Sequence, residues 1–256
     1  MINTILASKR ETNQTFIEGF RVSVTKVIAG PCVVTQIKNI DRDGYWSVQL
    51  GFGDRSTKNI SKSVQGHLKG AQKEEKRAPR FLREVRMAEE PTFKVGDVVK
   101  LSDVFKIGDV VSVSGTSKGK GFASGIKLHG FHGGPKTHGQ SDRHRAPGSV
   151  GQTTTPGRIY KGKRMAARMG GNTVTVMNLH IISIDTEKNE MLISGQLPGN
   201  TDSLLVINKI KSGSLSDLKT ETVAQVVEGE GEVEVKEEGQ SEAPKAEEKK
   251  EETPNA

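Results

Sequence analysis

The chain is poor in three things that many folds depend on. It has one cysteine in 256 residues, its aromatic content is 4%, and only 33% of its residues are apolar. The lone Cys32 excludes a disulfide scaffold, a cysteine-based zinc site and an iron–sulfur cluster. The low apolar content limits the size of any core, so many residues must stay at the surface. No apolar run approaches the roughly 18 residues a membrane-spanning helix needs, which argues against a membrane protein. Met1 to Arg10 lacks the basic-then-apolar layout of a secretory signal. These absences predict a cytoplasmic address, and the length allows one large domain or two small ones.

What the chain has is charge, unevenly placed. The formal net charge is +7. Asp217 to Ala256 carries 13 acids against 5 lysines, so the first 216 residues carry +15. Val113 to Gly170 holds 6 Lys and 5 Arg against one acid, Asp142, together with 13 glycines and four histidines, His129, His132, His138 and His144. A basic body followed by an acidic tail predicts a polyanionic partner.

The body reads as β structure. Arg21–Thr25, Pro31–Ile37 and Tyr45–Leu50 are strand-like, the last after the turn signal Asp43-Gly44. Ser61 can cap a helix over 61–77 that Gly66 and Gly70 weaken. Phe81–Met87 reads as a further strand. Phe93-Lys94-Val95-Gly96-Asp97-Val98-Val99 recurs twelve residues on as Phe105-Lys106-Ile107-Gly108-Asp109-Val110-Val111. Each copy sets Gly-Asp at a turn before a β-branched strand, a spacing that suits either paired strands of a small barrel or two separate hairpins. Strands resume at Val174–Met177 and His180–Asp185. A charged turn at Thr186–Asn189 leads into Met191–Gly195, and Ser203–Ile207 is the last apolar strand. Beyond Lys219 the Glu-rich chain cannot bury enough apolar surface to offset ordering entropy and is expected to be disordered, with a weak strand pattern at Val223–Val235.

Ser117 to Met169 shows neither helical nor strand periodicity. A structureless connection of this length is either disordered or functional. Like charges so close together repel in water and become favourable when phosphates replace counterions. Glycine permits close backbone approach and positive-φ corners, supplied at Gly119-Lys120-Gly121, Gly133-Gly134-Pro135, Pro147-Gly148 and Pro156-Gly157. The composition suits an extension threading folded RNA; the alternative is a disordered basic linker. Sharper chemistry finds less support. Gly157-Arg158-Ile159-Tyr160-Lys161-Gly162-Lys163 matches seven positions of a phosphate-binding loop, but Arg164 stands where Ser or Thr would hold Mg²⁺ and no apolar strand precedes it. His129 and His132 are three apart with no Glu or Cys beside them, so a metal site is not predicted. No nucleophile elbow or paired carboxylates appear. These residues therefore do not predict a hydrolase; the rival enzyme reading is a His-dependent metallohydrolase using the 129–144 cluster.

Several segments carry a family resemblance: Thr116-Ser117-Lys118-Gly119-Lys120-Gly121-Phe122, Gly133-Gly134-Pro135, Thr137-His138-Gly139, His144-Arg145, Pro147-Gly148-Ser149-Val150-Gly151-Gln152, Thr155-Pro156-Gly157-Arg158, and Tyr160-Lys161-Gly162-Lys163-Arg164-Met165-Ala166. In this order they resemble the L-three family of large-subunit ribosomal proteins in its bacterial form, over roughly residues 1 to 212. The resemblance departs at Ile5–Arg10, which matches the family's "G-x-K-x-G-M-T" opening poorly. It departs again at Leu128-His129-Gly130, where members carry Arg-Trp-Asn and where His129 or Phe131 would replace the missing aromatic. The acidic tail is not part of the family pattern either.

The resemblance implies a mainly β chain: a six-stranded translation-protein-type β-barrel with a small α+β insertion, a long irregular RNA-binding extension and a disordered acidic tail. The implied division is barrel over 1–44, 93–117 and 169–215, insertion over 45–92, extension over 118–168 and tail over 216–256. It implies a structural, non-catalytic constituent of the large ribosomal subunit, in the cytoplasmic ribosome. Such a protein binds large-subunit rRNA early in assembly, neighbours other large-subunit proteins, and extends a finger toward the peptidyl-transferase centre. The rRNA-binding residues it implies are Lys118, Lys120, Lys127, His129, His132, Lys136, His138, Arg143, His144, Arg145, Arg158, Lys161, Lys163, Arg164 and Arg168. Gln152 occupies the place of a glutamine that some members carry N5-methylated by a dedicated methyltransferase; the alternative is an unmodified Gln152 hydrogen-bonded to RNA. The rival reading outside the family is a nucleic-acid chaperone or regulator with a small barrel and a basic arm. The free extension is expected to be disordered and to fold on RNA.

Overall fold

The computed structural model describes residues 2–17, 19–71 and 76–215. The acidic tail expected to be disordered, 216–256, with its weak strand at Val223–Val235, lies outside the described residues. The described chain is mainly β with few and short helices.

Two antiparallel sheets hold the core. The first is built from β1 (Thr4–Ile17), β2 (Phe20–Ala29), β7 (Val110–Thr116), β10 (Thr173–Asp185), β11 (Glu190–Ser194) and β12 (Leu204–Lys211). Each pairs with two neighbours in the order β1-β12-β7-β10-β11-β2, and β2 returns to β1, so the ladder closes into a ring. Directly paired residues share a face. Ile5 opposite Ile207, Ala7 opposite Leu205 and Met191 opposite Val27 therefore converge on one interior, and all six side chains are fully buried. Fully burying an aliphatic side chain of this kind contributes about 1.5–3 kcal/mol. Gly115 keeps the lumen open to a neighbour: a Cβ there would lie 2.7 Å from Leu205 Cδ2.

The second sheet has the order β5-β4-β3-β6, with β3 (Cys32–Lys38), β4 (Ser47–Ser56), β5 (Arg77–Arg86) and β6 (Val98–Val99). Its strands come from both sides of the 45–92 span, since β3 precedes it and β6 follows it. Short helices α1 (Ile40–Asp43), α2 (Lys62–Leu68) and α3 (Leu101–Val104) join or flank these strands. Val34, Leu50, Val99, Leu101 and Phe105 run into the same cluster of buried residues as the ring.

The sequence splits β10 in two at Met177–Leu179. The structure carries one strand through, with a register shift between Val176 and Leu179 and Asn178 at φ 59°. Asparagine tolerates that left-handed conformation and lets the ladder resume. The whole of β1 is longer than its apolar pattern suggests, because Arg10–Thr15 is polar on both faces. That half of β1 pairs only with β2 and stands beyond the ring as a hairpin. The helix expected over 61–77 ends at Leu68.

The twelve-residue repeat is a repeated turn. Asp97 Oδ2 accepts the Lys94 backbone N–H at 2.7 Å, and Asp109 Oδ2 accepts that of Lys106 at 2.8 Å. Gly96 and Gly108 take φ of 97° and 90°. The strands that follow do not pair with each other: β6 joins the second sheet and β7 the ring. Asp109 also accepts Lys209 Nζ at 2.6 Å, which ties the second turn to β12.

Cys32 starts β3 fully buried, and burial pushes its thiol up to about 11. At pH 8 only about one thiol in a thousand would then be thiolate, the reactive form. The folded chain should therefore resist iodoacetamide at pH 8 and take one label in denaturing urea; stoichiometric labelling without denaturant would contradict this packing.

Candidate nucleic-acid interface

A closed ring has two ends. Strand directions place the β1–β2 hairpin tip, the exit of β7, the entry of β10 and the loop between β11 and β12 at one end. The second sheet leaves from the other, between the end of β2 and the start of β7. The basic Gly-rich segment, residues 117–172, is the excursion between β7 and β10.

Its root is backbone-bonded. Ser117 N–H donates to Asn172 O at 2.8 Å, Lys120 N–H to Met169 O at 2.8 Å, and Met169 N–H to Gly121 O at 2.9 Å. β8 (Phe122–Ala123) then pairs with β9 (Ala167–Arg168), and α4 (Gly125–His129) follows. Farther out, Gly134 N–H donates to His144 O at 3.0 Å. Glycine is required where the two limbs meet. A Cβ on Gly170 would sit 2.1 Å from Lys118 O, and one on Gly133 would sit 2.4 Å from His144 O. Both also have φ above 70°. Phe131 lies on Gly125, with its ring centroid 5.6 Å from that of His129. Within 147–160 the bonds among the described residues are local, such as Ser149 Oγ to Gly151 O at 3.1 Å.

The cations share one environment. Lys118, Lys120, Lys127, Lys136, Arg143, Arg145, Arg158, Lys161, Lys163, Arg164 and Arg168 are all exposed, as are His132, His138 and Gln152. Among the described residues none of these Lys and Arg side chains is within 4 Å of a carboxylate. Arg145 instead donates to Ser124 Oγ at 3.1 Å. His129 and His144 differ from the other two histidines: they are half-buried, with His129 Nε2 3.0 Å from Met165 O and His144 Nδ1 2.9 Å from Pro135 O. Each therefore has one ring nitrogen engaged in holding the arm together. Phe122 and Tyr160 stand out at 75% and 58% exposure, apolar faces among cations on which unpaired bases can stack.

Lys9, which the sequence reading does not select, lies at the root of this arm. Its ammonium donates to Leu197 O at 2.6 Å and Gly199 O at 3.1 Å. Burial, and then the nearby charge of Lys118, lower its pKa. The loop it clamps closes the end of the ring from which the arm departs. Lys9-Arg10 at the end of an apolar run is the only sequence sign of this, and it names no partner. Gly157–Lys163 is a turn-containing exposed segment, with no strand before it and no helix after it, so it lacks the context of a nucleotide loop. Among the described residues no three His, Cys, Asp or Glu side chains are grouped to hold a metal ion.

The comparisons agree on one family. The family model described as Ribosomal protein L3 matches residues 77–223 and so spans the arm. The large ribosomal subunit protein uL3 of Herpetosiphon aurantiacus is 50% identical over 210 residues, covering 82% of this chain and 97% of that protein. That of Thermomicrobium roseum is 50% identical over 208 residues, covering 81% and 94%. That of Corynebacterium jeikeium is 43% identical over 213 residues, covering 83% and 96%.

Replacing Gly170 by Ala places a methyl against the Lys118 carbonyl and should part the limbs at the root. Hydrogen exchange of the Lys120 and Met169 amides should accelerate at least tenfold while the Ile193 and Ile207 amides of the ring keep their protection. Unchanged exchange at all four would show that the contact is relieved without cost.

Proposed function

The chain belongs to the ribosomal protein L3 family, and from that premise we propose how its parts serve the ribosome. It is a structural, non-enzymatic constituent of the large ribosomal subunit. In our reading the ring is the six-stranded barrel of the translation-protein type, residues 45–92 with β4, α2 and β5 are its α+β insertion, and 118–168 is the rRNA-binding finger. The observation that carries this is the exposed arm with eleven Lys and Arg side chains and no carboxylate partner among the described residues. An ordinary solvated face would intersperse acids. An arm built to lie among phosphates need not, because each phosphate neutralised releases counterions.

The residues that bind rRNA are, in this proposal, Lys118, Lys120, Lys127, Lys136, Arg143, Arg145, Arg158, Lys161, Lys163, Arg164 and Arg168, with His132 and His138 as donors. His129 and His144 act there through the ring nitrogen that the arm leaves available. Contacts go mainly to phosphate and sugar, so RNA shape sets the site. The finger points toward the peptidyl-transferase centre, where peptide-bond chemistry belongs to the RNA. Early binding by the rigid ring and finger together nucleates folding of the surrounding rRNA, and the remaining surface meets neighbouring large-subunit proteins.

The test is the salt dependence of binding to large-subunit rRNA. Neutralising the cluster in K161A/K163A/R164A should lower the slope of log K against log salt by about 2 to 3, at 0.7–0.9 per phosphate contact. The tagged wild-type chain should also cosediment with the large subunit through a moderate salt wash. A wild-type slope in the variant, or release of the chain to the top of the gradient, would refute the reading.

Gln152 lies exposed in the stretch held only by local bonds, where a modifying enzyme can reach it before assembly. We propose that it is the substrate of a glutamine N5-methyltransferase. A peptide spanning Gln152 from native ribosomes should weigh about 14 Da more than its sequence mass, the increment of one CH₂; the unmodified mass would reject this.

A further inference from the structure

The arm is only as well aimed as the end of the ring it leaves from. β7 ends at Thr116, β10 begins at Thr173, and these two residues pair. Just beyond them the limbs are joined by Ser117 N–H to Asn172 O at 2.8 Å and by Gly171 N–H to Ser117 O at 3.2 Å. The loop between β11 and β12 backs this exit. Gly199 fits so closely there that a Cβ would lie 2.9 Å from Thr116 O, and a Cβ on Gly115 would lie 3.1 Å from Pro198 Cγ. The Leu197 side chain belongs to the buried core of the ring. The loop therefore touches both the rigid interior and the residues from which the arm starts.

Lys9-Arg10 on β1 ties this loop down in three ways. The Lys9 backbone donates to Ser203 O at 3.1 Å and accepts the Asp202 N–H at 2.8 Å. Arg10 pairs with Asp202 at 2.6 Å, both groups exposed, where an ion pair contributes little. The Lys9 ammonium reaches inward to the carbonyls of Leu197 and Gly199, two buried residues. A buried carbonyl left without a donor is costly, and a charged donor makes the stronger bond. With two of its three N–H donors so committed, Lys9 has little left for a phosphate. Yet it stands beside the arm: the charge of Lys118, the arm's first cation, acts on it after burial to lower its pKa.

We propose that Lys9 is a positioning residue for the arm. By holding Leu197 and Gly199 against the end of β7 it fixes the direction in which the two limbs leave the ring, and so the share of free chains that present the arm to rRNA. This rests on the rRNA-binding reading above and adds to it a residue that acts through the loop and not through contact with RNA.

The experiment uses the full-length chain and protein-free large-subunit rRNA transcribed in vitro. K9M keeps the stem of the side chain and removes its donors; K161A/K163A/R164A in the arm is the comparison. Kd is measured against salt, and amide hydrogen exchange is followed in the RNA-free chain. K9M should bind about tenfold more weakly at every salt concentration, because apparent affinity falls with the competent fraction, and its salt slope should equal that of wild type. Its Ser117 and Gly171 amides should exchange faster, while those of Ile193 and Ile207 keep their protection. A slope reduced by about 0.7–0.9 would make Lys9 a phosphate contact and overturn the inference. Weaker binding with unchanged exchange at Ser117 and Gly171 would overturn it too. So would lost protection at Ile193 and Ile207, which would make Lys9 a prop of the ring itself. If K9M keeps wild-type affinity while the arm variant loses slope, the Lys9 inference falls and the arm reading stands. If the arm variant keeps its slope, rRNA binding by the arm falls, and the Lys9 inference with it. Should K9M yield no folded protein, G199A, which keeps the ammonium and sets a methyl against Thr116 O, is measured in its place under the same criteria.

Discussion

Closure of the hydrogen-bonded ring is the constraint from which the rest follows. Six strands that each have two partners leave no unpaired edge, so the ring cannot grow sideways. Anything added to it must leave from an end. Two long excursions do so. One, between β2 and β7, folds back as a second sheet and shares a continuous core with the ring. The other, between β7 and β10, has too few apolar residues to fold back and stands out as the basic arm. The difference is compositional. Residues 30–109 supply Val34, Leu50, Leu101 and Phe105 to be buried, whereas in residues 117–172 only Ala123 and Gly125 are fully shielded.

Electrostatics explains why the arm does not fold back on the ring. Its cations would lose water without gaining a carboxylate, and an unpaired buried charge is far more costly than a solvated one. The pairs that do form on the body have another role. Lys38–Glu84 and Lys209–Asp109 each join segments distant in sequence, and both sit where strands of different origin meet. The body thus uses charge to fix its own register, while the arm keeps its charge unmatched.

Much of this is legible in the sequence, for reasons that differ by region. β2, β3, β11 and β12 are signalled by β-branched, alternating residues, because each packs one face on a core. β1 is only half legible: Arg10–Thr15 pairs with β2 without burying anything, and a strand polar on both faces leaves no periodic trace. The Gly-Asp repeat is legible as a turn, since a carboxylate three residues after an N–H can accept from it locally. That its two strands enter different sheets is not legible, because sheet partnership is decided by long-range packing. In the arm, charge and glycine content announce a polyanion and close backbone contact, but not which residues meet. The roles of His129 and His144 as internal ties, and of Lys9 as the clamp on the closing loop, depend on carbonyls brought near from distant positions. The arginines of β5 are visible as letters, yet their place on an exposed edge is known only once β4 has been seen to pair on the other side.

The seam between the two limbs has a consequence for how the molecule can change over generations. Where Gly133 meets the His144 carbonyl and Gly170 meets that of Lys118, the limbs are matched residue against residue. Adding or removing one position in either limb would slide a side chain into the slot meant for hydrogen, so length variation near the seam is penalised twice, by the gap and by the mismatch. Among the described residues the segment from 147 to 160 has no such opposing partner, so it can lengthen or shorten without disturbing either limb. Indels in related chains should therefore collect at the far reach of the arm and avoid its base, a pattern set by backbone girth alone.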